Sequence, residues 1–164
     1  MGEHGRGTRL RLRSALAAAV LVTAGLVSAG LGVGVVGTAH AQLPAPVLDT
    51  PCTAVARACV DLATQRAWLI TDGVVSHGPV PISSGGAGRE TPTGDFRVEW
   101  KNLNHRSTEF DSAPMPFAVF FAEGGIAFHE GRLDSHSAGC VRLGHEDATL
   151  FYDVLEVDDP VQVR

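Results

Sequence analysis

Beyond residue 57 the chain is built of short apolar runs broken by turn residues, a spacing that predicts strands rather than helices. Cys59, Val60 and Leu62 surround Asp61, and Ala67, Trp68, Leu69 and Ile70 form a second run that ends at Thr71. Asp72-Gly73 then precedes Val74 and Val75. This dipeptide accepts the two positive φ angles of a tight hairpin, so these runs read as a meander. Phe96, Val98 and Trp100 alternate with Asp95, Arg97 and Glu99, the period of a strand with one buried face. Residues 117–121 and 126–128 are further apolar strands separated by Gly124-Gly125, and 161–163 form a last one. Only 145–155 has helical periodicity, with Ala148, Leu150, Phe151, Val154 and Leu155 on one face and Asp147, Asp153 and Glu156 outside it. Residues 101–116 are polar and end in Pro114, Met115 and Pro116, and we expect a loop there that covers a site. The pattern predicts a mainly β, sandwich-like domain with one principal helix.

The N-terminal region follows a different pattern. Arg6, Arg9, Arg11 and Arg13 precede an apolar run over 15–36, and Ala39, His40 and Ala41 follow it, the three-part form of an export signal cleaved after Ala41. Val27, Ser28 and Ala29 offer a second cleavage site, and the run is long enough to be kept as an anchor, although its many glycines weigh against that. The expected organisation is a signal peptide over 1–41, an N-terminal linker with three prolines over 42–56, and a single domain over 57–164. From residue 42 onward there are nine Arg and Lys against seventeen Asp and Glu, a net charge of −8. A surface this acidic excludes nucleic acid as a plausible partner.

Export makes the three cysteines interpretable. Cys52 and Cys59 lie close together, and in an oxidising compartment they are expected to close a small disulfide loop. Cys140 is then unpaired, which leaves a buried structural thiol or a reactive one. His129 lies eleven positions upstream. A thiol attacks a carbonyl only as thiolate, and an imidazole can accept its proton. Gly139 permits a tight turn that would bring the amides of Gly139 and Cys140 to a substrate oxyanion. His129, His136, Cys140 and His145 could instead bind zinc, but their spacing matches no compact ligand motif, so we expect neither metal nor cofactor. His77 and His105 read as exposed loop side chains, and His145 as a side chain near the helix start.

Ser137, Ala138, Gly139, Cys140, Val141 and Arg142, followed by Leu143, resemble the signature of the L,D-transpeptidase catalytic domain (YkuD) family, whose usual form is Ser, His, Gly, Cys, Val or Ile, Arg; five of these six positions fit. Thr91 to Phe96 resembles the family's Thr-Pro-x-Gly-x-Phe turn, and Ile126, Ala127, Phe128 and His129 resemble its apolar strand ending in histidine. The likeness covers roughly residues 57–163. Two positions depart from it: Ala138 stands where the family has a second histidine, and Glu130 separates His129 from Gly131.

The resemblance implies a sandwich-like fold and an acyltransferase in which Cys140 is the nucleophile and His129 the general acid/base. It implies peptidoglycan stem peptides as donor and acceptor, a place in the cell wall or on the outer face of a bacterial membrane, and carbapenem-type β-lactams as inhibitors. Ser137, Arg142, Met115 and His136 are expected to bind substrate, with Arg142 equally suited to pinning an acidic loop through Asp134 and Ser137 to stabilising the turn. A monomer is expected. Water as acceptor would make the protein an L,D-carboxypeptidase, and loss of turnover would leave a wall-binding module. A sortase-like enzyme shares the Cys, His and Arg set but not the Thr-Pro turn.

Overall fold

The computed structural model describes residues 43–164; the expected export signal lies outside the described residues. Nine strands and one helix follow in the order β1 (Ala58–Asp61), β2 (Arg66–Thr71), β3 (Val74–Pro81), β4 (Gly94–Arg97), β5 (Trp100–Arg106), β6 (Pro114–Ala122), β7 (Ile126–Glu130), β8 (Val141–Leu143), α1 (His145–Val154) and β9 (Pro160–Val163). They form a five-stranded sheet in the order β3-β2-β1-β9-β4 and a four-stranded sheet in the order β5-β6-β7-β8. The mainly β, two-sheet architecture with one helix is the one the hydrophobic pattern predicts.

Asp72 and Gly73 take φ values of 52° and 75°, the left-handed pair that a two-residue hairpin requires, and Thr71 pairs with Val74 across them. β9 closes the first sheet by pairing in parallel with β1 and antiparallel with β4. Val60, Leu69, Val161 and Val163 of this sheet and Val119, Phe121, Phe128 and Val141 of the other meet in one core, which Phe151 and Leu155 seal from the helical segment. Phe96 and Phe121 make an edge-to-face contact across it at 5.8 Å. Glu146 and Asp147 in the first turn of α1 offset its positive N-terminal pole.

Three local expectations are corrected. Residues 95–100 are not one strand: β4 ends at Arg97, the amide of Val98 donates to the carbonyl of Asp159, and the amide of Glu99 donates to that of Phe120 in the second sheet. The alternating apolar pattern therefore spans a crossover between sheets, with Val98 buried in the core and Trp100 exposed on the other sheet. Residues 101–116 are not a loop. They form most of the β5–β6 hairpin, in which Asn102 pairs with Ala118 and His105 with Met115. Their polar sequence misled because both faces of β5 are largely solvated.

The third correction concerns the described part of the expected linker, 43–56, which does not run extended. Val47 donates its amide to the carbonyl of Cys52, Thr53 donates its amide to Gln162 Oε1 on β9, and Val47, Cys52 and Ala56 pack with Cys59, Trp68 and Ile70 in a second small core. The disulfide Cys52–Cys59 ties this turn to β1. His77 also departs from expectation, since it lies in β3 and its Nε2 meets Asp147 Oδ1 at 2.9 Å. Alkylation without reductant is expected to label Cys140 alone, and the double change Cys52→Ser with Cys59→Ser to cost about 2–3 kcal/mol by urea unfolding, the loop-closure entropy of so short a ring. Labelling of all three cysteines, or an unchanged midpoint, would contradict this.

Candidate active site

β7 and β8 pair in parallel, with Phe128 opposite Val141 and His129 opposite Arg142. Side chains alternate along a strand, so Phe128 and Val141 enter the core while Ala127, His129, Cys140 and Arg142 share the opposite face. Extending the register places Cys140 beside Ala127, one side-chain step before His129. The two α-carbons are then about 8 Å apart, from two residues along a strand and one strand spacing across. On this face Cys140 packs against Met115, Ala118, Phe120 and Ala127.

The turn that delivers Cys140 is held from several sides. Ser83 exchanges both main-chain hydrogen bonds with Arg142, at 3.1 and 2.8 Å, and the amide of Ser137 donates to Ser84 at 2.9 Å. Buried Thr91 accepts from the amide of Gly85 at 2.9 Å through its Oγ1 and donates the hydroxyl to the carbonyl of Gly139 at 2.7 Å. Gly139 has φ +119° and so close a neighbour in Ile126 that a Cβ there would lie 2.6 Å from its Cδ1. The positive φ is what favours glycine here, since the tip of the Ile126 side chain could shift to admit a Cβ.

Two expected roles shift. Arg142 does pin the loop before Cys140, but through the carbonyls of Ser135 and His136, both at 3.3 Å; Asp134 is bound instead by Arg132 at 2.8 Å. The Gly139 amide is committed to Ser137 Oγ at 3.1 Å, and that hydroxyl donates to the carbonyl of Cys140. Ser137 therefore stabilises the turn, and of the two amides expected to face an oxyanion only that of Cys140 has no acceptor among the described residues.

His129 is buried, and its Nδ1 lies 2.7 Å from the carbonyl of Glu130. A carbonyl only accepts, so the proton sits on Nδ1 and Nε2 keeps its lone pair for a substrate or thiol proton. Burial pushes the imidazole below its ordinary pKa, opposed by the Glu130 carbonyl and reinforced by the charges of Arg142 and His105. Burial pushes the Cys140 thiol up, with the main chain of Ala127 and the charge of Arg142 offsetting part of the rise and Glu109 adding to it. Sγ donates to the carbonyl of Gly125 at 3.7 Å. Both shifts run toward a neutral thiol beside a neutral imidazole.

Both side chains open into one cleft of about 910 Å³, whose wall also includes Met115, His136, Ser137 and Arg142. All the expected side-chain contributors thus come together. Trp100 stacks on Phe120 at 3.7 Å, and His105 meets both edge-on, so His105 is part of the cleft wall and not a free loop residue. His145 Nδ1 pairs with Glu130 Oε2 at 2.9 Å on the helix side. Among the described residues no three His, Cys, Asp or Glu side chains converge in a way that could hold a metal ion. Thr91 and Ser83 were not assigned roles by sequence reasoning. Thr91 belongs to the Thr-Pro motif, which could have flagged it, whereas Ser83 carries no local signal.

Residues 56–163 match the family described as YkuD, L,D-transpeptidase catalytic domain. The chain belongs to this family. An L,D-transpeptidase structure from Stackebrandtia nassauensis is similar at 29% identity and a TM-score of 0.61, over 65% of this chain and 54% of that one. The chain thus spans about half the length of that relative. The L,D-transpeptidase of Xylanimonas cellulosilytica shares the fold at 24% identity and a TM-score of 0.63, over 70% and 63% of the two chains. L,D-transpeptidase 3 from Mycobacterium tuberculosis, in complex with a faropenem-derived adduct, shares it at 22% identity and a TM-score of 0.58, over 65% and 59%. No curated protein gives a significant match.

A raised thiol pKa means that thiolate, and with it reactivity toward the neutral reagent iodoacetamide, grows as pH rises through that raised value. The alkylation rate of Cys140 is expected to keep increasing past pH ~8.5, the ordinary thiol midpoint; a plateau reached below pH 7 would instead reveal an ion pair. Thr91→Val, which strands the Gly85 amide and the Gly139 carbonyl, should lower stability by about 1–3 kcal/mol in chemical denaturation, with Thr91→Ser recovering most of it. Equal losses in both variants would assign the effect to packing.

Proposed function

We propose that the protein is an exported cysteine L,D-transpeptidase that joins peptidoglycan stem peptides through a thioester on Cys140, acting at the cell wall or the outer face of the membrane. The observation that carries this reading is the projection of Cys140 and His129 from one face of a parallel strand pair into a single cleft, in a chain of the L,D-transpeptidase family.

As substrate enters, His129 Nε2 takes the thiol proton while Sγ attacks the donor peptide carbonyl. The carbonyl π electrons move to oxygen, where the Cys140 amide, which has no acceptor among the described residues, can donate to it. Collapse of this adduct breaks the peptide C–N bond, and the leaving amine takes the proton from His129. The thioester is then attacked by the acceptor amine, which yields its proton to Nε2. Expulsion of the thiolate, reprotonated by His129, restores the neutral couple and releases the crosslinked product. A neutral resting pair suits this cycle: thiolate forms only as carbonyl and base come together, which limits adventitious oxidation in an exported protein.

β-Lactams fit the same chemistry, since a strained carbonyl stands in for the donor peptide; the Mycobacterium tuberculosis relative carries a faropenem-derived adduct. A carbapenem is expected to add once to the folded protein, on the peptide containing Cys140, by intact-mass and peptide-mapping mass spectrometry. His129→Ala should slow turnover by roughly 10²- to 10⁴-fold, while His136→Ala, whose exposed side chain lies at the rim, keeps a measurable fraction. An adduct on another residue, or equal inactivity of the two folded variants, would count against the assignment.

A further inference from the structure

We propose that Arg89 is the carboxylate-recognising residue of the cleft, which selects donor peptides whose leaving residue ends in a free α-carboxylate. The inference rests on the transpeptidase reading above and deepens it by assigning a specificity determinant.

Arg89, Arg132 and Arg142 are the arginines in the cleft wall. Arg132 is bound in bidentate fashion by Asp134, and Arg142 is spent on the carbonyls of Ser135 and His136. Arg89 has no ion pair and no side-chain hydrogen bond among the described residues. Its guanidinium lies over the ring of Phe110, 5.3 Å from the centroid, at the tip of the β5–β6 hairpin. An aromatic face orients the guanidinium and leaves its N–H edge free to take a carboxylate in two parallel bonds. Phe110 is itself a large apolar side chain left exposed, and bearing the arginine gives it a purpose.

The position relative to the nucleophile is fixed by the main chain. The carbonyl of Arg89 lies 3.8 Å from the point where a Cβ would stand on Gly139. Thr91, two residues on, holds the Gly139 carbonyl, and the amide of Arg89 donates to Gly86 at 2.9 Å. The backbone from which the guanidinium extends is thus fastened to the turn that presents Sγ. When a peptide bond to a C-terminal residue is broken, the carboxylate of that residue lies only one Cα beyond the scissile nitrogen. A side chain as long as arginine, rooted beside Gly139, reaches a group at that distance. Glu109 is in the same hairpin turn and lines the same cleft, but it makes no ion pair with Arg89.

The test compares two donors, a tetrapeptide muropeptide with a free C-terminal carboxylate and the same compound as its C-terminal amide, on wild-type protein, Arg89→Gln and Arg89→Lys. Wild type should favour the acid over the amide in kcat/KM by about 10- to 100-fold, the worth of a charged hydrogen-bonded pair. Arg89→Gln should lose that preference through a higher KM for the acid, and Arg89→Lys should keep part of it. The rate of Cys140 alkylation by iodoacetamide should be the same in all three proteins, which shows that the turn is intact. A wild type indifferent to the carboxylate, or an Arg89→Gln variant that retains the preference, overturns the role of Arg89 while leaving the transpeptidase reading in place. Failure of wild type to cleave either donor overturns that reading and the subsite with it.

Discussion

β7 and β8 run in the same direction, so the chain that leaves Glu130 must travel back along the sheet before it can enter at Val141. That requirement creates the segment 131–140, and everything chemical in the molecule depends on how it is held. Parallel strands are usually joined by a long crossover, often helical. Here the return is short and irregular, and its order comes from hydrogen bonds: Arg142 grips the carbonyls of Ser135 and His136, Ser83 and Ser84 bind it from the side, and Thr91 takes the carbonyl of Gly139. Cys140, the proposed nucleophile, is the last residue of this constrained return, and His129, the proposed base, is on the preceding strand. Their relative position is therefore set by strand register, which the buried pair Phe128 and Val141 fixes from the core side. A slip of one residue would turn Cys140 into the core and Val141 into the cleft.

Burial of the same face sets the electrostatics. Packing among Met115, Ala118, Phe120 and Ala127 raises the pKa of the Cys140 thiol, and burial of His129 lowers that of its imidazole, because desolvation penalises both charged forms. Both shifts favour a site that keeps its proton on sulfur. The carbonyl of Glu130 fixes the imidazole tautomer, so the departure of the chain from the usual His-Gly sequence adds a side chain, paired with His145, without disturbing the main-chain acceptor.

Much of this was legible in the sequence, for reasons that can be stated. The Asp72-Gly73 and Gly124-Gly125 turns, the apolar run ending in His129 and the Gly139-Cys140 turn are local features, and local chemistry dictates them. What escaped was non-local. The alternation from Phe96 to Trp100 is a true period-two pattern, but nothing in it records that the chain changes sheets at Val98. Residues 101–116 are polar because β5 is solvated on both faces, and a polar edge strand has the composition of a loop. The partners of Arg142 are carbonyls, which every residue possesses, so the sequence favoured the visible carboxylate of Asp134, whose partner is Arg132. The bond from the Gly139 amide to Ser137 is by contrast local, two residues apart, and is the turn-stabilising role that the sequence allowed for Ser137.

If Cys140 is the proposed nucleophile, it becomes an acyl-enzyme by attack on a peptide. Mass spectrometry of the protein, acid-quenched within a single turnover of a tetrapeptide muropeptide, tests this directly. The account predicts a tripeptide-bearing fragment attached to the peptide that contains Cys140, and its appearance as a crosslinked dimer once an acceptor amine is supplied. Absence of any covalent fragment while substrate is consumed, or a fragment attached elsewhere, would contradict it.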